Sequence, residues 1–154
     1  MDALLQPPAP APPPTLSSWQ EADLARAIEY LEKTFYQWTE GDDFLRMVIN
    51  EAYAGNERVV TMTVREMEVY VTTVTPLLAV GFHDTARARA QALSLGYSLS
   101  GLLWQAVMHH GRQFREHLLA PAGRGQLVNL LRCHLAVPEG SAGAAGNANH
   151  IIRK

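Results

Sequence analysis

A single cysteine, Cys133, stands among the 154 residues. One thiol cannot form an intramolecular disulfide, and zinc sites built on cysteine pairs are excluded. The scarcity fits a reducing compartment, and an intracellular, cytoplasmic protein is expected, with the nucleus left open. Lysine is nearly as rare, since eleven of the thirteen bases are arginine. Carboxylates are scarce in one half only. Residues 69–154 hold three (Asp84, Glu116, Glu139) against eight bases, a net +5, whereas residues 1–68 hold twelve against five, a net −7. Such polarity fits either two halves that neutralise each other or a partner of opposite charge.

Long apolar runs are missing too. The nearest approach is residues 90–108, nineteen residues without a charge but diluted by three serines, two glutamines and two glycines. No lysine cluster or aromatic belt frames it, so a buried helix is expected and not a membrane span. The N-terminus lacks the basic and apolar regions of a secretory signal, and Asp2 replaces the glycine that myristoylation needs.

What is present reads as helix. Residues 1–16 hold six of the nine prolines and are expected to form a disordered, extended arm. Residues 138–154 form a Gly/Ala-rich tail expected to be disordered, which leaves 17–137 as the folded domain. Ser18 and Glu21 make a capping box. After it, Leu24, Ile28, Leu31, Phe35 and Trp38 step by 4, 3, 4, 3, the seam of an amphipathic helix that ends at Gly41. Asp42 is expected to cap a shorter helix from Phe44 to Tyr53, stopped by Gly55. The Val- and Thr-rich stretch 58–75 has strand-like composition, and a hairpin is one reading of it. Thr63 and Glu66 form a second capping box, however, and Val64, Met67, Val71, Val74 and Leu78 again step by 3, 4, 3, 4, so a helix is expected, kinked or ended at Pro76.

Asp84 or Thr85 caps the next helix, with a break or close crossing at Gly96 and Gly101. A further helix runs over 98–120, "PAGRG" is a loop, and 126–136 is a last short helix. The fold class is therefore all-α, a five- to six-helix bundle with disordered N- and C-terminal arms.

The stretch "GLLWQAVMHHGRQFREHLL" (101–119) concentrates candidate chemistry. On one continuous helix, His110 and His117 share a face with Leu103, Val107 and Phe114. His109, Gln113 and Glu116 form a second face, and Arg112 and Arg115 point outward. A metal centre needs three or more converging ligands, and no HExxH-type spacing supplies them. No GxSxG elbow, phosphate-binding glycine loop or carboxylate-held histidine points to catalysis. Cys133 is expected in the core of the last helix. No catalytic, metal or cofactor-binding residue is assigned, and no enzyme is expected.

Binding remains. Aromatic residues crowd the first half. Tyr30 and Tyr36 lie off the Leu24–Trp38 seam, so with Trp19 they are the expected contact residues for another protein. The heptad-like seams also suit self-association, so a homo-oligomer is expected. The sequence is thus read as a small helical adaptor or inhibitor, with the profile of viral- or phage-type regulatory or assembly proteins. The alternative is a nucleic-acid binder whose Arg87, Arg89, Arg112 and Arg115 contact phosphates.

Overall fold

The computed structural model describes residues 12–14 and 21–135. The proline-rich arm apart from 12–14, the Ser18 cap, Trp19 and the Gly/Ala-rich tail lie outside the described residues. Within them the chain is all-α: α1 (Glu21–Trp38), α2 (Asp42–Tyr53), α3 (Glu57–Phe82), α4 (Thr85–His110), α5 (Phe114–Leu119) and α6 (Pro121–Leu135), with a 3₁₀ turn at Gly111–Gln113 before α5.

The first helices follow the apolar spacing. Leu31 and Phe35 are fully buried on α1, with Leu24, Ile28 and Trp38 packed around them. The cap of α2 is Gly41, not Asp42, which is already the first helical residue; the Gly41 carbonyl accepts from Leu45 N at 2.8 Å. Gly55, at φ +80°, turns the chain toward α3.

The stretch 58–75 is helix throughout, so the hairpin reading falls. Its start is set by Asn56, whose side chain accepts from Arg58 N at 3.2 Å, and not by Thr63. The Thr63 hydroxyl instead donates back to the Val60 carbonyl at 2.8 Å, so the second capping box does not form. Pro76 neither ends nor divides the helix. It removes one backbone donor, a cost of about 3 kcal/mol in a helix interior. Val71 and Val74 before it, and Leu77 and Leu78 after it, are all buried in one core, and that packing outweighs the lost bond.

Two residues separate α3 from α4. His83 takes the left-handed conformation (φ 53°) and returns its N–H to the Ala79 carbonyl, and Asp84 caps α4 by accepting from Ala86 N (2.8 Å) and Arg87 N (3.3 Å). The two 26-residue helices then run back to back as an antiparallel hairpin. Gly96 permits this closeness, because a Cβ there would meet Met67 Sδ at 2.6 Å and the Tyr70 ring at 3.2 Å.

The expected helix over 98–120 is instead two helices. Gly111 adopts φ +53°, ψ −122°, a conformation that a side chain disfavours, and the chain turns there into α5. The expected loop "PAGRG" is the first turn of α6. Proline at its first position lacks only a donor that has no partner in any helix, and Gly123 lets α6 settle directly onto the backbone of His117 and Leu118. One face of α4 (Ala88, Ala92, Leu95, Leu99, Leu103) is the centre of the core, met by α3, by Phe114 and Leu118 of α5, and by Leu127, Leu131 and Leu135 of α6. None of the described helices is long and apolar enough to cross a membrane.

Candidate interaction surface

The tyrosines chosen from sequence are not free surface. Tyr30 is half-buried against the core. Tyr36 donates its hydroxyl to the Leu118 carbonyl at 2.9 Å and lies under the Arg124 guanidinium, 5.6 Å from the ring centroid. Arg124 in turn donates to the Leu119 carbonyl at 3.1 Å. Tyr36 and Arg124 thus tie α1 and α6 to the end of α5. Of the heptad-like seams, Leu31, Phe35, Val71, Val74 and Leu78 are buried in the core, while Val64 at the start of the α3 seam is 65% exposed.

The arginines separate into groups. Arg87 and Arg89 stand on the first turns of α4, and Arg112 and Arg115 lie just beyond its other end, all four exposed. Twenty-five residues from Arg87 to Arg112 correspond to roughly 37 Å at the helical rise, so they form no single patch. Arg89 is paired with Glu68 of α3 at 2.6 Å, and this is the one salt bridge between the acidic and basic halves among the described residues. Glu29, Glu40, Asp43, Glu51 and Glu57 are exposed on one half and Arg87, Arg112, Arg115 and Arg132 on the other.

The histidines change role because the chain breaks at Gly111. His110 is exposed and His117 half-exposed, and their rings stack with centroids 3.7 Å apart and planes 17° off parallel. Neither joins the core face expected from one continuous helix. Desolvation first, then His117 and His109, holds the His110 imidazole below its ordinary 6.5. Imidazole lone pairs lie in the ring plane, so two stacked rings do not converge on one ion, and no group of three or more His, Cys, Asp or Glu is placed to hold a metal among the described residues. Cys133, expected in the core, is exposed: α6 turns Leu127, Leu131 and Leu135 inward and leaves Cys133 outside that stripe.

One constellation escaped the sequence reading. His134 Nε2 lies 3.0 Å from Ser98 Oγ, the separation of a serine–histidine nucleophile pair. The Gln91 amide nitrogen is 2.8 Å from the His134 carbonyl and 3.0 Å from His134 Nδ1. A carbonyl only accepts, so that Gln91 atom is a donor, and Nδ1 must accept its second hydrogen. The proton of the neutral ring then sits on Nε2 and points at Ser98. His134 therefore donates to Ser98 and cannot take its proton, and burial keeps the ring below 6.5 and neutral. The trio fastens α6 to α4.

What remains open is an apolar face. Along α4, Leu93, Tyr97, Gly101, Trp104 and Met108 step by 4, 4, 3, 4 on the side opposite the core, within a sector of roughly 80°. Tyr97 is 64% and Met108 65% exposed. The Tyr53 ring at the end of α2, 85% exposed, lies 6.4 Å from the Trp104 ring. On the adjoining α3, Val60 and Val64 are also exposed. Helix α4 is apolar on both sides, the pattern of a fully buried helix; the other described helices bury one of them, and on the second Leu93, Tyr97 and Met108 stay exposed while Trp104 is half-buried against the core. That two-sidedness was the available signal. The chain matches no protein-family model, no curated protein and no solved structure.

Proposed function

We propose that the protein acts by binding another protein, as a small helical adaptor or inhibitor of the kind viral- and phage-type regulators use, and that the open face of α4 with Tyr53, Val60 and Val64 makes the contact. The supporting observation is the exposure of Leu93, Tyr97 and Met108 on one side of α4, with the exposed Tyr53 ring against the half-buried Trp104 between them, in place of the half-buried Tyr30 and Tyr36. Contiguous exposed apolar surface marks interaction sites, and tyrosine, tryptophan and methionine are the side chains enriched there. The test is a photo-crosslinking amino acid placed at Tyr97, with Lys33 on α1 as the control position. Capture of one defined protein from position 97 and none from 33 is expected. Equal capture from both, or none from 97, would refute the assignment.

A nucleic-acid contact is the second reading, carried by Arg87, Arg89, Arg112 and Arg115, all exposed. It requires binding that falls steeply as salt rises.

A further inference from the structure

We infer that α5 and α6 form one acid-loosened unit, fastened to α4 at both ends by histidine contacts that an added proton breaks. The unit joins α4 through Gly111, whose positive φ sets the turn. It lies in the core with α4 through Phe114, Leu118, Leu127, Leu131 and Leu135. Those apolar contacts carry no titratable group. The polar contacts at the two ends do.

At the near end, the His110 ring of α4 is stacked on the His117 ring of α5 with centroids 3.7 Å apart. One proton leaves a cation against a neutral ring. A second sets two like charges face to face, and separating the rings relieves it. At the far end, His134 of α6 takes both hydrogens of the Gln91 amide nitrogen, one on its carbonyl and one on Nδ1. A protonated ring carries a hydrogen on Nδ1 as well, so donor meets donor. Turning the Gln91 amide over serves Nδ1 but sets an amide oxygen against the His134 carbonyl. The two-point grip is lost either way.

Other charges stand around both ends. The groups on the elements meeting at the near end are His109 on α4, Arg112 in the 3₁₀ turn, Arg115 and Glu116 on α5, and Arg124 on α6. Those at the far end are Arg87 and Arg89 on α4, Arg132 and Cys133 on α6, and Asp23 and Arg26 on α1. The salt bridges of the described residues, Arg26 with Asp23 and Arg89 with Glu68, reach none of the three rings. The last turns of α4 and α6 favour a cation. Desolvation nonetheless holds both His110 and His134 below 6.5, helped at His110 by His117 and His109. Their contribution to closure is therefore present above pH 6.5 and lost as pH falls, and each proton gained on opening raises the open fraction up to about tenfold per pH unit.

The test is amide hydrogen exchange on the full chain at neutral pH and near pH 5, corrected for the intrinsic pH dependence of exchange. Protection of the α6 amides is expected to fall roughly tenfold more than that of the buried middle of α3. His117→Gln with His134→Gln is expected to remove that excess. Gln91→Glu is expected to reverse the sign at the far end, because a carboxylate accepts from a charged ring but repels the His134 carbonyl. The last turns of α6 should then lose protection at neutral pH and regain it in acid, which a purely structural glutamine would not produce. An equal fall across α3 and α6, or an excess that survives in the double variant, overturns the inference. So does Gln91→Glu with the acid response of wild type. Should the double variant not fold, the wild-type comparison and Gln91→Glu decide.

Discussion

Gly123→Ala tests the packing of α6 against α5 with the largest expected effect. A Cβ at Gly123 would collide with the His117 carbonyl oxygen and lie 2.9 Å from both Leu118 Cα and the Leu118 carbonyl oxygen. All three are backbone atoms of α5, so no side-chain rotation relieves the contact and α6 must move. Overpacking of this kind costs about 1–3 kcal/mol, and unyielding backbone places it at the upper end. Helix propensity returns about 1 kcal/mol for glycine to alanine, leaving a net loss of about 2 kcal/mol. For a folded body of this size that corresponds to a Tm lower by about 8 °C. Displacement of α6 also strains the bond from Tyr36 to the Leu118 carbonyl and the Arg124 stack. Gly101→Ala is the matched control, since it gains the same propensity with nothing within 4 Å and should raise Tm by about 4 °C. Thermal unfolding followed by far-UV circular dichroism measures both. If Gly123→Ala is as stable as wild type, or the two variants shift in the same direction, the close seating of α6 on α5 is wrong.

Other substitutions address the remaining contacts. Tyr36→Phe should lose about 1 kcal/mol with its bond to Leu118, and Tyr36→Ala about 2 kcal/mol, by urea unfolding, because this tyrosine holds the fold together. The Tyr70 hydroxyl is buried without a hydrogen-bond partner among the described residues, so Tyr70→Phe should stabilise by about 1 kcal/mol; a loss of that size in the same assay would mean that the hydroxyl is bonded. His134 titrates below 6.5 when folded, so the unfolded chain binds more protons as pH falls through that region. Its contribution is fully present above pH 6.5 and lost on acidification through the folded pKa. Urea midpoints at neutral pH and near pH 5 should therefore drop more for wild type than for His134→Gln, and an NMR midpoint for His134 at or above 6.5 would contradict the Gln91 clasp.

Much of the fold was legible because the relevant forces are local. The α1 seam, the Asp84 cap and the 3–4 spacing of α3 each reflect neighbours within a few residues. The failures share a different cause. The interior Pro76 and the helical start at Pro121 depend on packing between elements distant in sequence, and the outcome at Gly111 depends on where α5 must go to bury Phe114 and Leu118. Breaking the helix there moved His110 and His117 off the expected core face and onto each other. The contact surface was missed for a related reason. Sequence periodicity distinguishes one apolar side from another only when the second is polar, and on α4 both are apolar. Tyr30 and Tyr36 looked available because they lie off the α1 seam, but α5, α6 and the core occupy them.

The account's central claim is that the open face of α4 is the working surface. Hydroxyl-radical footprinting of the complex captured through position 97 tests it most directly, because Tyr53, Trp104 and Met108 are strong reporters on that face. Complex formation should protect all three and leave the oxidation of Tyr30 and Tyr36 unchanged. Unprotected Trp104 and Met108, with protection confined to other parts of the bundle, would contradict it.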